Sequence, residues 1–292
     1  MPRTSPARSL RDGVPRGCRW ALAAALLISP ATGAPPPEQV GGGGLAALPA
    51  LLQAAQSADV EVALRARRAA KEIVLGWLRA ETPPGMRLVP GLVEVDGAGI
   101  RIEGGLYLGV HEVTVAEYGR FLAARGDAPA ASAGAPDLPV TKVTLAEARA
   151  FADWREARLP TSEELHAAAS GGGTFAYPWG GEFDPARANT REAGLGRAEP
   201  VGSRPRGNSP EGIADLAGNV AEWTETRVGE GRRARWLAVG GSFAKAQGRP
   251  GAATHKLRAE ARLPDVGFRL ARSLPELPAE AREGGGGRPV QD

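Results

Sequence analysis

Cysteine is almost missing from this chain of 292 residues: the one present, Cys18, sits near the N-terminus, ahead of a short apolar run. A chain processed after that run holds no thiol, which excludes disulfides, thiolate metal sites and cysteine nucleophiles together. Histidine is nearly as scarce. His111, His166 and His255 are far apart and none forms an i, i+4 pair, so a zinc hydrolase site of the HExxH kind is absent. No GxGxxG or GxxxxGKS occurs, and the glycine run at 171–173 is not followed by a helix start, so no phosphate-cradling loop is indicated. After residue 28 no run approaches the ~20 apolar residues a membrane span needs. Charge of one sign is also lacking. The formal balance is +3, but the first 31 residues alone hold five Arg against Asp12, or +4, which leaves the remainder at −1. Nucleic-acid binding through bulk charge is disfavoured.

What is present falls into five segments. Residues 1–31 have an Arg-rich start, an apolar run at 20–28 and small residues at Ser29 and Ala31, the plan of a secretory signal peptide. Secretion or periplasmic export follows, with an uncleaved anchor as the alternative. Residues 32–44 form a Gly-rich linker. Residues 45–80 read as two helices, 45–56 and 60–79, with Asp59 as N-cap of the second and Val60, Leu64, Ile73, Trp77 and Leu78 roughly on one stripe. This HEAT-like pair cannot bury its own face. It packs on its neighbour or on a protein partner, or serves as a spacer. Residues 85–273 form the main domain. Residues 274–292, rich in Pro, Gly and charge, are expected to be disordered.

Within the main domain, Thr114 with Glu117 and Thr144 with Glu147 are capping boxes that open helices at 114–125 and 144–157. A third short helix starts at Thr161. Strands are expected near 104–110, 236–239 and 267–271. Few strands, separate helices and long loops make this an α+β domain. Trp154, Trp179, Trp223 and Trp236 read as core residues. Arg158 and Arg269 have carboxylate partners in prospect at Glu164 and Glu222.

The domain also carries an ordered string of short segments: EVT at 112–114, RLPTSEEL at 158–165, YPWG at 177–180, DLAGNVAEW at 215–223, GGS at 240–242 and GFR at 267–269. In this order they resemble the formylglycine-generating enzyme, or sulfatase-modifying factor, family. The resemblance implies a loop-rich variant of the C-type-lectin-like fold. It also implies a calcium site at Asp215 and Glu222 through side chains and at Gly218 and Val220 through carbonyls. Oxygen donors around a Gly-containing turn suit a hard cation, although Asp215 and Asn219 can also simply organise a turn. A second calcium site of the family would begin at Asn189, but the loop that follows lacks the later Asp.

The chain departs from the family at its chemistry. The family's oxidases hold copper(I) with two cysteines just after GGS, and here Lys245 and Pro250 stand in those places. Copper(I) requires soft donors, and the only thioether outside the initiator is Met86. Copper is therefore not expected. The family's iron-dependent sulfoxide synthases draw on a His-rich helical domain, and the helical pair here has no His. Two readings remain. In one, the domain is a non-oxidase binding module that holds a peptide or small polar ligand with Ser242, Lys245, Gln247, Arg249, His255, Lys256 and Arg258. In the other it is an oxidase by descent, or a different enzyme using the same cleft.

Overall fold

The computed structural model of the protein describes residues 44–96, 99–127, 134–246 and 254–282. The N-terminal segment at 1–31, and Gln247 and Arg249, lie outside them. A 3₁₀ turn at Gly44–Ala47 leads into α1 (Leu48–Ala54) and α2 (Val60–Ala80). Asp59 caps α2 by accepting from the backbone N–H groups of Glu61 and Val62. The buried face of α2 differs from the expected stripe. Val60 and Leu64 are 70% and 59% exposed, whereas Ala63, Ala66, Ala70, Val74, Leu75 and Leu78 are buried. The small alanines let α1 approach closely, and that rotates the apolar stripe away from the large residues of the first turns.

The pair buries this face within its own chain. Leu48, Leu52, Val74 and Leu78 pack with Val93 and Ile100 of the hairpin β2 (Leu92–Val95) and β3 (Ile100–Glu103), and with Leu277 and Ala281. Residues 274–282, expected to be disordered, thus contribute to a core. Their last turn is α6 (Ala279–Arg282). Tyr107 ties the pair to the main domain by donating to Leu78 O at 2.7 Å.

The strands are short, with tight turns between them. β1 (Met86–Val89) pairs antiparallel with β4 (Leu106–Gly109), and β4 pairs with β9 (Ala271–Ser273). Gly91 is obligatory at the first turn, since a Cβ there would lie 2.5 Å from Glu103 O. The second sheet has the order β7-β6-β5-β8, from β5 (Ala221–Val228), β6 (Arg235–Val239), β7 (Thr254–Leu257) and β8 (Val266–Gly267), with β5 and β8 parallel. The single strand expected at 267–271 is therefore two strands in different sheets.

Three helices cover the sheets: α3 (Val115–Arg125), α4 (Leu145–Trp154) and α5 (Ser162–Ser170). Each begins with a complete capping box, at Thr114 and Glu117, Thr144 and Glu147, and Thr161 and Glu164. The expected helix at 144–157 ends at Trp154. Glu156 then adopts φ 50°, which reverses the chain toward Arg158. Tyr118, Phe121, Phe151 and Phe268 form the aromatic centre, with Phe151 and Phe268 centroids 5.4 Å apart. Of the four tryptophans read as core, only Trp223 is fully buried, and its indole N–H donates to Val143 O at 2.9 Å. Trp154 is 42% exposed at the end of α4.

Candidate functional site

The domain is organised around Arg269. Its side chain is fully buried and forms a two-pronged pair with Glu222, Nε to Oε2 at 2.7 Å and Nη2 to Oε1 at 2.6 Å. The same guanidinium donates to Gly109 O at 3.1 Å and Ala214 O at 3.0 Å. It thereby joins β4, β5 and the loop that carries Asp215. Arg158 makes the second expected pair, with both guanidinium nitrogens 2.7 Å from the Glu164 carboxylate.

Asp215 opens the 215–223 segment at φ 60° and accepts from the Gly202 N–H at 2.6 Å. Asn219 also has positive φ, at 65°. Its side chain accepts from Glu199 N and Asn189 Nδ2, and it donates to Glu199 O. Gly218 has to be glycine because a Cβ would sit 2.8 Å from Asn189 O. The four residues assigned to calcium by resemblance are therefore brought onto one segment. Their donors do not converge, however: Glu222 faces Arg269, Asp215 faces Gly202, and among the described residues no group of three or more acidic, His or Cys side chains is arranged for a metal ion.

The carboxyl groups around Arg269 are electrostatically linked. Glu112 is fully buried and neither of its oxygens has a hydrogen-bond partner among the described residues. It feels the charges of Asp215, Arg269 and Glu222. Three carboxyl groups share this buried volume with one guanidinium, so they do not all ionise together. Burial first, then the Asp215 charge, push Glu112 well above the ordinary carboxylate range, with Arg269 opposing. Burial also raises Asp215, against the Gly202 N–H, Arg269 and the Glu112 carboxyl beside it. The sequence placed Glu112 in the EVT string but gave no sign that it lacks a partner.

The cleft residues are only partly gathered. Ser242 is buried and donates to Asp265 Oδ2 at 2.9 Å. Lys245 is exposed, and its backbone is held by Ser242 O and by the Arg191 N–H. His255 lies on β7 opposite Ala238, with Nε2 buried and unpartnered among the described residues. Burial lowers its pKa, Lys245 lowers it further, and Asp265 opposes both. Ser242, Lys245, His255 and Asp265 thus share one neighbourhood. Asp265, which sequence reading missed, is its anionic member. Lys256 does not join them. It pairs opposite Leu237, and alternation along β7 puts it on the other face of the sheet from His255. Arg258 is exposed beyond the strand end.

Near this arrangement the chain is similar to known proteins. Residues 93–274 match the model of the sulfatase-modifying factor enzyme 1-like domain. An inactive C-alpha-formylglycine-generating enzyme 2 from Bos taurus is 34% identical over 163 residues, 49% of this chain and 53% of that protein. A formylglycine-generating enzyme from Mycobacterium tuberculosis is 39% identical over 99 residues, 30% of this chain and 33% of that protein. The chain spans about half the length, or less, of these curated relatives. PvdO from Pseudomonas aeruginosa has the same fold at 19% identity, with a TM-score of 0.53 over 65% of this chain and 94% of that one.

Glu112→Gln tests the buried charge. A carboxylate whose pKa rises on folding contributes stability below its unfolded value of about 4.3, and that contribution is lost as pH rises through the folded value. At pH 8 the variant should therefore be more stable than wild type, because its amide cannot ionise, by at least about 1.4 kcal/mol, the value of a one-unit rise in a carboxyl pKa. The difference should shrink toward pH 4. Thermal melts across that range check this, and a variant no more stable at pH 8 contradicts it.

Proposed function

The chain belongs to the family of sulfatase-modifying factor enzyme 1-like domains, and from that premise we propose that it is an exported, non-oxidase member that binds a peptide or small polar ligand beside Ser242, Lys245 and His255. One observation carries the reading: an ammonium, Lys245, exposed in the loop after GGS, stands where the resembling oxidases place a copper thiolate. An ammonium repels a cuprous ion and cannot engage a substrate cysteine as a thiolate does. The only cysteine of the chain precedes the domain by more than sixty residues. The similarity to a relative named as inactive supports the same reading. The ligand groups that remain are Lys245 as cation, with Asp265 and the imidazole of His255 as hydrogen-bonding groups, a set suited to a polar or acidic ligand.

A cysteine-containing sulfatase-type peptide incubated with the protein and copper under oxygen should show no aldehyde by mass spectrometry. Conversion above the protein-free background contradicts the reading.

Calcium at Asp215, Gly218, Val220 and Glu222 belongs to the same proposal. Its support is the three buried carboxyl groups around Arg269, which a divalent cation would hold ionised together, and it requires Glu222 to be shared between Arg269 and the cation. Bound calcium stabilises by linkage. A chelator should then lower the melting temperature of wild type by several degrees and leave Asp215→Ala unmoved. Equal responses from the two proteins contradict the site.

Export rests on the order of the Arg-rich, apolar and small-residue segments within 1–31. Among the described residues no helix is long and apolar enough to cross a membrane. N-terminal sequencing of the extracytoplasmic protein should begin near residue 32. A sequence starting at Met1 contradicts cleavage.

A further inference from the structure

A groove of about 730 Å³ lies between the end of α2, strand β1 and the far end of α5, lined by Arg79, Arg87, Leu88, Phe175, Pro210 and Glu211 among others. It shares none of its lining with the neighbourhood of Ser242 and His255, and part of it comes from residues 79–90, ahead of the family-matching segment. Its floor is a sheet edge, since among the described residues β1 has β4 on one side and no strand on the other.

The hydrogen bonds identify which backbone groups face outward. Gly85 O accepts from Val110 N at 2.9 Å, toward the β4 side. Met86 points the other way, where its N–H donates to Pro83 O at 3.1 Å and its C=O accepts from the Arg87 guanidinium at 2.9 Å. In an antiparallel ladder both groups of a residue point to the same side, and the side alternates along the strand. Arg87 therefore faces β4, and Leu88 faces out. Among the described residues nothing pairs with the Leu88 N–H or C=O. An unpaired donor and acceptor on an edge strand form a template for another extended chain.

The walls specify its chemistry. Phe175 and Pro210 supply apolar surface. Arg79 and Arg87 are exposed and make no ion pair with any described carboxylate, and Glu211 is the one acid in the lining. We propose that this groove receives an extended segment of another protein by strand addition at Leu88, and that the segment alternates carboxylates, facing Arg79 and Arg87, with apolar residues against Phe175 and Pro210. The proposal is independent of the reading of the cleft.

The probe is a fluorescein-labelled peptide of alternating glutamate and valine, with its lysine–valine counterpart as control, titrated by anisotropy against the whole chain. The acidic peptide should bind and the basic one should not. Arg79→Glu with Arg87→Glu should weaken binding by about tenfold, while Glu211→Gln should tighten it. Amide exchange followed by NMR should show the Leu88 N–H exchanging freely in the unbound protein and slowing with peptide. Equal affinity for both peptides, no binding, or indifference to the paired reversal overturns the proposal. A Leu88 amide already protected without peptide also overturns it, because the groove is then filled by the chain itself.

Discussion

The pairing of Arg269 with Glu222 is the constraint on which the other features depend. A guanidinium with no solvent access has to spend its donors inside the protein, and this one uses them on a carboxylate and two carbonyls from separate parts of the chain. Removing one partner of such a pair costs about 3–5 kcal/mol, because the other is left as an uncompensated buried charge. Glu222 therefore fixes the start of β5 relative to the end of β4. Through Ala214 the same guanidinium fixes the entry to the loop that holds Asp215, Gly218 and Asn219.

That loop in turn positions the neighbourhood of the cleft. Asn219 O accepts from Phe243 N at 2.9 Å, and Ala221 N donates to Asp265 O at 2.9 Å. Asp265 then holds Ser242. The buried charge cluster and the Ser242–Asp265 pair are thus consecutive parts of one hydrogen-bonded assembly, with Lys245 exposed beside it. The family scaffold is kept beneath an exposed Lys245. Lys245 is held there through its backbone, which any residue can supply.

The sequence made some of this legible and hid the rest for physical reasons. Capping boxes are local, so all three domain helices could be located from four-residue patterns. The partners of Arg158 and Arg269 were readable because a guanidinium pairs two-pronged with a nearby carboxylate. Strands β1 to β3 were not readable, because the Gly and Pro between them look like loop. The buried stripe of α2 was misjudged because alanines carry the packing while larger residues face solvent. Glu112 and Asp265 were missed as site residues because their roles depend on segments more than twenty residues away. The groove at β1 has no sequence signature at all, being assembled from residues near 79–90, 167–175 and 210–211.

A double-mutant cycle at Glu222 and Arg269, read by equilibrium unfolding, addresses the central constraint directly. Glu222→Leu and Arg269→Met should each cost about 3–5 kcal/mol, and the double variant should cost clearly less than their sum, because it leaves no stranded charge. Single losses below about 1 kcal/mol, or strict additivity, would show that the scaffold does not depend on this pair.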